Sequence, residues 1–302
     1  MEELADSPKS MKENPTPSPT STEAKEDPHR IPEYLNTACT KSDDACCQLL
    51  RYRRPINEKL LNIGLEICED ETCDDGIRIA IVQASGRGYE FTNNDDEKSA
   101  LDVVQFLLTE HECITTVEMN RIMMHCESLL KALRLNRAVE TVVISGMEAT
   151  RSAKDEAAFK AVKSMSQLKR LILDTSRCPS GYANMRLYGQ LLRGATRRLT
   201  TLDVAAAEMS PKQAKRLIGA LTRRKTVEHL VVGENVFTNG KQGSGRCFAN
   251  YLVNADTLRT LKLTSKPNFT NEQAVRTLVS ALCQAKTLVE VKADLDLKMV
   301  GL

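Results

Sequence analysis

Leu199-Thr200-Thr201-Leu202-Asp203-Val204 and, 28 residues further on, Val227-Glu228-His229-Leu230-Val231-Val232 carry one phrase: an apolar residue, two positions, an apolar residue, one position, an apolar residue. It occurs seven times after residue 113, anchored at Ile114/Val117/Met119, Val139/Val142/Ile144, Leu168/Leu171/Leu173, Leu199/Leu202/Val204, Val227/Leu230/Val232, Leu258/Leu261/Leu263 and Leu288/Val291/Ala293. Central residues follow one another at 25, 29, 31, 28, 31 and 30 positions. Alternation within the phrase argues a strand with one buried face. A period of about 29 residues argues a solenoid, in which each unit buries its apolar side against its neighbours.

Between the phrases the period changes from two to the helical one. Apolar residues fall at i, i+3, i+4 and i+7 in Cys126/Leu129/Leu130/Leu133, Ala158/Ala161/Val162/Met165, Tyr188/Leu191/Leu192/Ala195, Ala214/Leu217/Ile218/Leu221, Phe248/Tyr251/Leu252/Ala255 and Val275/Leu278/Val279/Leu282. Each stripe lays one helix face on the sheet, and Cys126 reads as a small buried hydrophobe at the head of its stripe. Ser210-Pro211-Lys212-Gln213 and Thr270-Asn271-Glu272-Gln273 read as capping boxes.

Repeated strand phrases alternating with helices over residues 100–302 resemble the leucine-rich repeat family, in the long β-α variety of the ribonuclease inhibitor and NOD-like receptors. The resemblance implies an α/β fold: a leucine-rich-repeat solenoid (horseshoe) with parallel inner strands and outer helices. At the Asn/Cys position after the strand phrase only Asn235 matches, whereas Met147, Ser176, Ala207, Lys266 and Asp296 do not.

Residues 1–32 hold six of the ten prolines among Ser, Thr, Glu and Lys, and read as a disordered tail. Residues 33–99 read as a capping region. A short helix over 43–53 ends before Pro55, and period two at Leu61/Ile63/Leu65/Ile67 and Ile77/Ile79/Ile81 argues two strands that pair or extend the repeat sheet. The last phrase is followed by no covering helix before Leu302, so either self-association through this end or a longer parent array is expected.

Forty-two basic and 40 acidic residues leave a net charge of +2, so no global field directs the chain to nucleic acid or an anionic membrane. Ten cysteines accompany no signal-type stretch, and no apolar run reaches about 18 residues. A reduced, cytoplasmic chain with no membrane partner is expected.

No cofactor, metal or catalytic residue is expected. Gly240-Lys241-Gln242-Gly243-Ser244-Gly245 has Asn235 and Gln242 where a phosphate loop needs glycine and a hydroxyl, and reads as a loop insertion. The acidic run Glu69, Asp70, Glu71, Asp74, Asp75 reads as a solvated hairpin loop. His29, Cys39, Cys46, Cys47, Cys68 and Cys73 lack the paired spacing of a zinc site. His111, His125 and His229 have no nucleophile in a recognisable context.

Strand residues flanking the buried pairs point away from the helices in columns, and these form the candidate binding face: Val143, Arg170, Ile172, Asp174, Asp203, His229, Lys262, Glu290 and Lys292. Arg170 beside Ile172 and Val143 is the expected anchor. A basic edge at Arg197, Arg198, Arg223, Arg224 and Lys225 marks helix ends, where cations complement the macrodipole or meet an anionic partner. No aromatic interleaves it, which disfavours nucleic acid. The resulting expectation is a non-enzymatic protein-interaction scaffold or adaptor, and the family resemblance implies an immune or signalling setting. The alternatives are a substrate receptor of a ubiquitin ligase and a GTPase activator.

Overall fold

The structure, a computed structural model, describes residues 35, 39, 48–70, 78–84, 94–145, 153–174, 198–207, 209–237, 244–264 and 272–293. Period-two segments become strands β1 (Leu65–Glu69), β2 (Ile79–Gln83), β3 (Ile114–Met119), β4 (Thr141–Ile144), β5 (Arg170–Leu173), β6 (Thr201–Val204), β7 (His229–Gly233), β8 (Thr260–Thr264) and β9 (Glu290–Ala293). They form one nine-stranded sheet in chain order. β1 and β2 are antiparallel, and every later neighbour is parallel. Parallel neighbours need a crossover, and helices occupy the crossovers that are described. The helices are α1 (Arg53–Leu60), α2 (Asn94–Glu110), α3 (Arg121–His125), α4 (Glu127–Leu135), α5 (Ala153–Ser164), α6 (Pro211–Arg223), α7 (Glu234–Phe237), α8 (Ser244–Asn254) and α9 (Glu272–Gln284).

One face of β4 to β8 packs on these helices. Leu171, Leu202, Leu230 and Leu261 are buried among Val162, Leu217, Leu252 and Leu278 in a continuous apolar core. The sheet is also stitched at the strand entries by a main-chain ladder. The Glu140 carbonyl accepts from Lys169 and Arg170 N–H, the Lys169 carbonyl from Thr200 and Thr201, the Thr200 carbonyl from Glu228 and His229, the Glu228 carbonyl from Arg259 and Thr260, and the Arg259 carbonyl from Val289 and Glu290. One carbonyl therefore fixes two amides of the next unit, which holds the register of successive strands.

Pro211 opens α6, and the Ser210 N–H donates to Gln213 Oε1 at 2.6 Å, as the capping pattern requires. The expected helix over 188–195, the second capping box's Thr270 and Asn271, and residues 240–243 lie outside the described residues. Ser244 and Gly245 of the Gly-rich stretch are buried in the first turn of α8.

Three expectations are corrected. Leu61 and Ile63 are not strand residues: they form a 3₁₀ turn that ends at Gly64, whose φ of 68° sits in the left-handed region open to glycine. Alternation at 61–67 thus spans two elements, with strand only from Leu65. Pro55 does not end a helix; it lies in the first turn of α1, where a missing N–H breaks no internal bond. Cys126 heads no stripe. It interrupts the helix with extended φ/ψ of −97° and 108°, stands as N-cap of α4 and is half-buried. The last phrase keeps its register, and its anchors are exposed as expected: Val291 is 43% exposed and Ala293 is exposed. Among the described residues, no helix is long and apolar enough to cross a membrane.

Candidate interaction face

Parallel pairing aligns the outward residues in columns. Thr116, Thr141, Arg170, Thr201, His229, Thr260 and Glu290 are successive partners, and so are Glu118, Val143, Ile172, Asp203, Val231, Lys262 and Lys292. Arg170 thereby sits diagonal to Val143 and Asp203, while Asp174 lies one step beyond β5.

The first strands of this face are occupied by their own polar side chains. Asp70 is buried and accepts from Thr115 Oγ1 at 2.8 Å and Thr116 Oγ1 at 2.5 Å. It is therefore no part of a solvated loop, as the acidic run suggested; residues 71–77 of that run lie outside the described residues. Glu118 Oε2 accepts the Gln83 N–H at 2.9 Å. Asn120 is buried as N-cap of α3: its Oδ1 accepts the Met123 N–H at 3.0 Å and its Nδ2 donates to the Ile63 carbonyl at 2.8 Å. Its place just after the strand phrase gives no hint of this; the cap it makes on α3 is what turns it inward.

A depression of about 550 Å³ spans β1 to β5, lined by Arg53, Glu69, Thr116, Val143, Arg170 and Ile172 among others. Arg170 Nε is buried without a hydrogen-bond partner. Asp203 accepts the Ala205 N–H at 2.9 Å. Burial pushes its carboxyl above the usual 3.8, opposed by that N–H and by the charges of Arg170 and Lys262, while Asp174 pushes the same way as burial. Arg170, Asp174, Asp203 and Lys262 therefore form one electrostatic group. His229 and Lys262 are exposed at its C-terminal side. Glu290 and Lys292 pair with each other at 3.0 Å on β9.

Gly233, the last residue of β7, sets a steric limit. A Cβ there would stand 2.5 Å from the Ala205 carbonyl oxygen, so only glycine fits between β6 and β7 at this position.

At the basic edge, cations bind neighbouring units. Arg198 donates to Gln167 Oε1 at 2.5 Å, and Lys225 pairs with Asp256, each contact spanning 31 residues. Lys169 meets Glu140 at 2.8 Å in the same way. Burial lowers the pKa of the Arg224 guanidinium, and Arg223 is exposed in the last turn of α6. Arg197 lies outside the described residues. Away from both surfaces, Cys39, His111 and Cys113 bring their ligand atoms within 4.8 Å of one another.

No protein-family model matches the chain, and no curated protein matches it. Among solved structures, one described as "Leiomodin-1 Actin-Binding Site 2 (ABS2)" is similar at 15% identity, covering 64% of this chain and 90% of that one, with a TM-score of 0.29. A TM-score that low bears on neither fold nor partner.

Proposed function

We propose that this chain is a non-enzymatic interaction scaffold of the leucine-rich-repeat type, and that it holds a protein partner against the outward face of β4 to β8. The family assignment rests on the seven phrases and their period. The observation that carries the binding site is the Arg170 Nε donor, buried without a hydrogen-bond partner beside the depression lined by Val143 and Ile172. A buried donor left unpaired is costly, and a carboxylate or carbonyl from a partner would satisfy it with a charge-assisted bond. Apolar walls beside that donor suit a side chain that brings an acceptor on a hydrophobic stem. Lys262 and Asp203 extend the contact with both signs of charge, which selects a partner by complementarity more than by net field.

Crosslinking with mass spectrometry in the native cell, comparing wild type with Arg170→Glu and Lys262→Glu, tests this reading. Loss of specific partners from both variants, with unchanged thermal melts, is the expected result. Partners retained by both variants would remove the face and leave the basic edge as the next surface to test.

A further inference from the structure

Three side chains distant in sequence converge at the N-terminal end of the sheet. His111 and Cys113 lie on the turn between α2 and β3, and Cys39 comes from the segment that precedes the first described helix. Their ligand atoms all lie within 4.8 Å of one another. A tetrahedral zinc ion with Zn–S bonds of about 2.3 Å and Zn–N bonds of about 2.0 Å needs donors roughly 3.5–3.8 Å apart. Contraction by at most about 1.3 Å would bring this trio into that geometry.

Two of the three donors are already fixed. The His111 N–H donates to the Leu107 carbonyl of α2 at 3.2 Å, and the Cys113 carbonyl accepts the Ile79 N–H of β2 at 3.0 Å. The imidazole is buried, tilted 60° to the Phe106 ring with centroids 5.8 Å apart. Its Nε2 stands 3.4 Å from the carbonyl oxygen of Leu35. Metal-bound histidines commonly donate their second ring N–H to such a carbonyl, which orients the ring and leaves the other nitrogen for the ion. Thiolate and imidazole together select zinc or cobalt over calcium and magnesium, which prefer oxygen.

We infer that Cys39, His111 and Cys113 form a zinc site with two thiolates and one imidazole, its fourth position taken by solvent or an added donor. Each thiol gives up a proton to solvent as its sulfur binds, so affinity rises with pH. The site fastens the segment carrying Leu35 and Cys39 to the α2–β3 turn and makes closure of this end of the sheet depend on metal. The sequence hides it: Cys39 lies 72 positions before His111, and the His-x-Cys pair alone is too short a signal.

The test is titration of the reduced, metal-free full chain with cobalt(II) alone, followed by zinc. One cobalt per chain is expected, with thiolate-to-cobalt charge-transfer absorption in the near ultraviolet and tetrahedral bands in the visible, both displaced by zinc. Cys39→Ser, a single-atom exchange outside the sheet, should weaken cobalt binding by more than about tenfold; Cys113→Ser and His111→Gln should act alike. Cys283→Ser, an exposed cysteine on α9, should leave it unchanged. As a second reading, zinc should slow alkylation of Cys39 by roughly tenfold or more, reversed by chelation. Absence of the charge-transfer band at excess cobalt overturns the site, and so does a band undiminished in Cys39→Ser.

Discussion

The strands β1–β3 and the strands β4–β9 share one sheet, yet they are finished differently. In the first group the outward polar side chains are already bonded within the chain. Asp70 takes two threonine hydroxyls, Glu118 takes the Gln83 amide, and Asn120 caps α3 while reaching back to Ile63. Asn57 clamps α1 to β1 by bonding both the amide and the carbonyl of Ile67, at 2.7 and 3.2 Å. In the second group the outward residues make few such bonds, and by β9 even the inward face is exposed at Val291. Apolar phrases thus specify strand and register, while bonded polar side chains are added to them at the N-terminal end.

The comparison breaks or sharpens under substitution, and the largest effect is expected at its middle. Leu171→Ala, at a fully buried anchor, should cost about 2–5 kcal/mol, whereas Val291→Ala, at the equivalent place in β9, should stay within roughly 0.5 kcal/mol. Chemical denaturation of the two variants measures the gap, and equal losses would mean that β9 is as buried as β5. Asp70→Ala strips the acceptor from two buried hydroxyls and should cost roughly 2–4 kcal/mol. A smaller loss there would show that polar closure is not what secures the N-terminal strands.

Gly233→Ala drives a Cβ against the Ala205 carbonyl and should cost about 1–3 kcal/mol as β6 and β7 separate. Lys225→Ala removes an exposed pair with Asp256 and should change stability by less than about 1 kcal/mol. A larger loss would mean that the edge contacts, and not the core, hold adjacent units together.

The smallest effect concerns pH. Asp203 has its pKa raised by burial, so the folded chain binds this proton more readily than the unfolded chain does. The resulting stabilisation is complete below the ordinary value of 3.8 and is lost as pH rises through the elevated folded value. Asp203→Asn should therefore be more stable than wild type at neutral pH and lose that advantage in acid. Melts across pH 3–7 would check the sign, and an advantage independent of pH would remove burial as its cause.

The strand anchors and most helix stripes were legible because burial imposes a period and nothing else in the sequence competes with it. Legibility ended wherever a local device overrode the period. Gly64 turns the chain between a 3₁₀ turn and β1, so one alternating run contains two elements. Cys126 breaks a stripe that looked continuous. The outward columns were readable as positions, but their occupation was not: nothing in the letters says that Asp70 folds back onto Thr115 and Thr116. Arg170 was legible as an anchor from its setting between Val143 and Ile172, whereas its unpaired Nε depends on atomic placement. The Cys39, His111 and Cys113 cluster was missed for the same reason, since its members meet only through tertiary structure.

The carbonyl ladder at the strand entries has a consequence for sequence change. The residues that perform the same task there are Glu140, Lys169, Thr200, Glu228 and Arg259: an acid, two bases, a hydroxyl and a second acid. Because the bond is made by the peptide oxygen, the ladder itself asks nothing of the side chain at each step. Units unlike in spelling at these sites can then make the same joint, so that spacing, and not residue type, is what a further change in the sequence must preserve there.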